Sequence, residues 1–77
     1  MNSYIVYFEY YSDGEIGNDK YRFTNADDAF DKMRELTRAI KANFAESLER
    51  EVLDEPDFFG IIDNATGDFA KVLLKTL

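Results

Sequence analysis

Sixteen carboxylates, nine lysines and arginines, five tyrosines and a few hydroxyls are the side chains with which this chain could do chemistry, because it has neither histidine nor cysteine. Their absence removes imidazole general bases, thiolate nucleophiles, thiolate zinc sites and disulfides. Catalysis would have to rest on carboxylates that burial or a crowded partner has shifted. Asp54, Glu55 and Asp57 lie close together, but around Pro56 they read as a solvated connector, where carboxylates do not become general acids. No catalytic residue is expected.

Two clusters could offer oxygens to calcium: Ser12-Asp13-Gly14-Glu15 with Gly17-Asn18-Asp19, and Asp63-Asn64 with Asp68. Neither has the alternating ligands, central glycine and terminal bidentate glutamate of a twelve-residue calcium loop, and both are ordinary turn chemistry. Gly14 and Gly17 stand too far from any helix-opening glycine pattern to cradle a phosphate. No metal or cofactor is expected.

The charge distribution is more informative. The net charge is −7, and the twelve residues from Glu46 to Asp57 carry six acids (Glu46, Glu49, Glu51, Asp54, Glu55, Asp57) against Arg50 alone. That window holds −5, leaving −2 for the other 65 residues. On a helical wheel Asp28, Asp31, Glu35, Glu46 and Glu49 fall in one sector of about 60° free of bases, so a continuous helix would carry a carboxylate stripe. Spacings of four residues offer Asp28 to Lys32 and Glu46 to Arg50 as local ion pairs. Such a field disfavours direct binding to nucleic acid or anionic lipid, which both require a positive patch, and favours a basic partner.

The elements that must position these groups read as α+β. Ser3 to Tyr11 alternates β-branched and aromatic residues, placing Tyr4, Val6, Phe8 and Tyr10 on one face and Ile5, Tyr7, Glu9 and Tyr11 on the other. Turn residues fill Ser12 to Asp19, and Lys20 to Thr24 then alternates, which predicts a hairpin with a loop longer than two residues. Thr24 or Asn25 can cap a helix whose first turn holds Asp27 and Asp28. Ala26, Ala29, Phe30, Met33, Leu36, Ile40, Phe44, Leu48 and Val52 keep one stripe of about 160°, so the phase would allow a helix to Leu53. At about 42 Å that helix would overhang strands of about 27 Å; the segment to Asn43 is the secure part, and Pro56 ends any helix before Glu55. Phe58 to Asp63 and Asp68 to Lys75 read as a second hairpin around Asn64-Ala65-Thr66-Gly67.

The expected fold is therefore a single domain over residues 1–77, with a four-stranded, mainly antiparallel sheet in ββαββ order and one long helix on one face. The 45% apolar content, with seven Phe and five Tyr, is enough to fold it. One helix covers one sheet face. Tyr21, Phe23, Ala70, Val72 and Leu74 belong to the covered face, and Lys20, Arg22, Lys71 and Lys75 lie with first-strand aromatics on the open one. The N-terminus lacks signal-peptide character and no apolar run approaches the roughly 20 residues of a membrane span, so a cytoplasmic location is expected.

The functional expectation is a non-enzymatic binding module whose acidic residues, Asp28, Asp31, Glu35, Glu46, Glu49, Glu51, Asp54, Glu55 and Asp57, dock on a basic protein and mask its nucleic-acid-binding surface. In size, acidity and lack of catalytic equipment the chain resembles small phage-encoded inhibitors of bacterial defence, of the anti-CRISPR or anti-restriction DNA-mimic type. That resemblance implies a nucleic-acid-binding complex as target, with carboxylates standing in for phosphates. The alternative is an interaction module whose open aromatic and basic sheet face takes a peptide, a subunit or single-stranded nucleic acid. An uncovered face also predicts association, most simply a homodimer.

Overall fold

The computed structural model describes residues 3–77. Its elements run β1 (Tyr4–Ser12), β2 (Glu15–Phe23), α1 (Ala26–Asn43), β3 (Arg50–Glu55), β4 (Phe58–Asp63) and β5 (Phe69–Thr76). The sheet has five strands in the order β2-β1-β5-β4-β3, every neighbouring pair antiparallel. The α+β class, the antiparallel sheet and the single packed helix are as the sequence predicts. The order is ββαβββ rather than ββαββ, because Arg50–Glu55 is a fifth strand.

The first hairpin is tighter than its run of turn residues suggests. Asp13 and Gly14 form a two-residue loop with φ of 52° and 81°, the paired left-handed conformation whose twist suits a hairpin. β2 therefore begins at Glu15, inside the segment expected to be loop. In the second predicted hairpin the turn is as read, with Gly67 at φ 82°.

Asn25 caps α1: its side-chain oxygen accepts from the Asp27 N–H at 2.7 Å, and Asp27 and Asp28 occupy the positive end of the helix dipole. The helix stops at Asn43. Phe44 leaves helical geometry at φ −105° and ψ 12° while its ring stays buried, and the Arg50 guanidinium donates to the Phe44 carbonyl at 2.9 Å, satisfying an acceptor the helix end leaves free. The expectation that the helix could run to Leu53 is thus corrected. Leu48, in phase with the apolar stripe, is 99% exposed because no helix carries it to the core.

α1 lies mainly across β5, β1 and β2, leaving β3 overhanging. Ala29, Met33, Leu36, Ile40 and Phe44 pack on Val6, Phe59, Ile61, Ala70, Val72 and Leu74, with Tyr4, Phe8, Tyr10, Tyr21 and Phe23 closing the margins. The covered and open faces divide as the alternation predicts. No charged or polar residue is buried among those described.

Candidate functional site

β3 owes its existence to the edge that β4 presents once β5 has paired on its other side. Arg50 pairs with Asp63, Val52 with Ile61 and Asp54 with Phe59 on the helix side, while Glu51, Leu53 and Glu55 pair with Ile62, Gly60 and Phe58 on the open side. All six residues of β3 are exposed, since the helix does not reach over them and nothing covers the other face. Glu46 and Glu49 lie in the connection before the strand, and Asp57 in the turn after it.

All nine acids singled out from the sequence are exposed, but they are not one surface. Breaking the chain at Phe44 dismantles the predicted stripe. Asp28, Asp31 and Glu35 remain on α1, whereas Glu46, Glu49, Glu51, Asp54, Glu55 and Asp57 follow the edge strand. The local pairing also differs from that offered by the four-residue spacings. Lys32 takes Glu35 at 3.0 Å, Arg34 takes Asp31, and Arg50 turns to the helix carbonyls instead of Glu46. The Glu35 hydrogen bond raises the Lys32 pKa, against a smaller desolvation effect. The helix acids are partly neutralised in this way.

The edge acids form the denser array. From Glu49 to Asp57 five carboxylates occupy nine residues, one per about 6 Å of extended chain, against one phosphate per about 3.4 Å along each DNA strand. Glu51 and Glu55 project from the open face and Asp54 from the helix side, so the row addresses a partner from the edge of the sheet.

A basic flank was missed in the sequence reading. Arg34, Arg38 and Lys41 recur at helical spacing and line a groove of about 600 Å³ between α1 and the overhanging arm, over Phe30, Met33 and Phe59 and facing Asp54, Glu55 and Pro56. Lys41 lies 5.4 Å from the centre of the Phe59 ring. The four- and three-residue spacing of these bases is the sequence signal that marks it.

The open face is ordered into rows by the strand registers. One row runs Lys20, Tyr7, Leu73, Phe58, Glu55 from β2 to β3; another runs Ile16, Tyr11, Phe69, Ile62, Glu51. Between them Asn18, Glu9, Lys71, Gly60 and Leu53 make a polar row in which Lys71 pairs with Glu9 at 3.3 Å. Tyr11 stacks on Phe69 with ring centres 6.2 Å apart, and Leu73 and Ile62 are each 38% exposed.

At the opposite end, Asp63 is held below the usual aspartate range by the Ser47 hydroxyl first and then by the Ala65 N–H, which donates at 2.8 Å. The buried Ser47 Oγ makes no hydrogen bond of full geometry and acts on Asp63 through its proximity. Among the described residues no group of three or more His, Cys, Asp and Glu is arranged to hold a metal, and no helix is long and apolar enough to cross a membrane. Comparison with known proteins finds no family model, curated protein or solved structure that matches the chain.

Proposed function

We propose that this chain is a non-enzymatic protein-binding module whose acidic edge, Glu46, Glu49, Glu51, Asp54, Glu55 and Asp57, docks on a basic surface of a nucleic-acid-binding partner and masks it. One observation carries this reading: the residues of highest acid density lie on, or immediately flank, an edge strand exposed along its whole length. Edge strands commonly carry charge to prevent sheet-to-sheet pairing, and a row of carboxylates this dense also presents negative charge of the kind a phosphate-binding surface attracts. Asp28, Asp31 and Glu35 supply background field rather than contacts. An inhibitor of the anti-CRISPR or anti-restriction kind is the form that the chain's size and acidity suggest. Action in the cytoplasm follows from such a target.

The test is affinity capture on the immobilised chain from native host lysate, followed by elution with DNA or RNA. The expected partner binds nucleic acid and is displaced by it. A captured partner that ignores competing nucleic acid would overturn the masking mechanism. The alternative reading, binding through the open face, is favoured by the two apolar rows there.

A further inference from the structure

We propose that the open face of the sheet is occupied by a second copy of this chain, packed face to face about a two-fold axis running along β5. β5 is the middle strand, with β2 and β3 at the two edges. A half-turn about β5 therefore lays the β3 edge of one copy over the β2 edge of the other. In the first apolar row this sets Lys20 against Glu55, Tyr7 against Phe58 and Leu73 against its own copy. In the second it sets Ile16 against Glu51, Tyr11 against Ile62 and Phe69 against Phe69. Cation meets carboxylate at both ends of the first row and apolar meets apolar within both rows, as expected of a self-complementary isologous interface. Lys71 approaches its copy on the axis, each already paired with its own Glu9.

The face suits a copy of itself in extent as well. Five strands at about 4.8 Å by seven residues at about 3.4 Å give roughly 550 Å² of flat area per copy, near the lower end of specific interfaces when both copies are counted. Sheets pack in this manner with strands aligned within about 30°. Pairing through the β3 edge is a poorer route to a dimer, because it would set acids against acids. The dimer takes Glu51 and Glu55 from the acidic edge, while Glu46, Glu49, Asp54 and Asp57 stay outside the interface and remain open to a basic partner, so the proposal does not rest on the masking function.

Sedimentation equilibrium of the full chain in about 0.15 M salt, which screens the net charge beyond about 8 Å, is the experiment. A reversible dimer is expected for the unmodified chain. Lys20 and Glu55 sit at opposite edges of one sheet, about 19 Å apart by strand spacing, and do not couple within a copy. Lys20→Glu and Glu55→Lys, both at exposed positions, should each weaken dimerisation roughly tenfold while leaving the thermal unfolding of the monomer unchanged. An equimolar mixture of the two variants should recover the dimer, because each mixed pair restores opposite charges at both rims. A monomer at all concentrations, single variants that dimerise like the parent, or a mixture that fails to recover would each overturn the proposal. So would a monomer whose face is filled by a different protein.

Discussion

The Tyr10 ring lies over Gly17, its cross-strand partner, and occupies the space in which a Gly17 Cβ would stand. Gly17 is on the helix-facing side of β2, and its missing side chain lets the ring lie flat on the backbone beside Phe8, whose ring centre is 5.5 Å away. An aromatic that covers a strand glycine restores the packing the glycine forgoes. Gly17→Ala should therefore expel the ring and cost about 1–3 kcal/mol, the range for overfilling a packed site. Urea unfolding followed by fluorescence or circular dichroism measures it; an unchanged midpoint would mean that the ring does not rest there.

Helix length is tested by a pair of substitutions with opposite expectations. Ile40→Ala empties a site that is 1% exposed and should cost about 2–5 kcal/mol. Leu48→Ser changes a side chain that is 99% exposed and should fall within about 0.5 kcal/mol of the parent. A loss at Leu48 comparable with that at Ile40 would reinstate the long helix.

That pair also marks the limit of what the sequence discloses. β1, β4, β5 and α1 are legible because each buries one face, which imposes a period of two on Tyr4 to Tyr10 and of 3.6 on Ala29 to Phe44. β3 buries neither face, so Arg50 to Glu55 lacks the hydrophobic contrast that marks a strand, and Leu48 and Val52 happen to continue the helical phase. The hairpin loop was misplaced because Gly17 and Asn18 resemble turn residues, while Gly17 is a strand residue sheltering under Tyr10. The candidate acids were legible in identity, since exposure suits carboxylates, but not in grouping, which depends on where the helix stops.

Asp63 sets a pH dependence. Its folded pKa is lowered by Ser47 and the Ala65 N–H, so the ionised form is favoured by folding. The stabilisation is fully present above the unfolded aspartate value of about 3.9 and is lost as pH falls through the lower folded value. Asp63→Ala should be less stable than the parent near neutrality, and the gap should narrow at about pH 2. Thermal midpoints across the acid range would show it; a gap of constant size would remove Asp63 from the acid response.

The acidic edge makes the strongest functional prediction. Glu49, Asp54 and Asp57 are exposed, lie outside the core and take no part in the proposed dimer contacts. Glu49→Lys, Asp54→Lys and Asp57→Lys together should therefore leave unfolding within about 1 kcal/mol of the parent, as surface changes do. The same changes replace three negative charges by three positive ones on a stretch of about 27 Å, so affinity for a basic partner should fall by roughly tenfold or more. Binding of the parent should weaken with added salt, and the variant's residual binding should respond less steeply, because screening acts on the charges that were reversed. Titration calorimetry of both proteins against the captured partner at two salt concentrations separates the outcomes. Equal affinity for parent and variant, with equal indifference to salt, would show that the edge strand is not the docking surface.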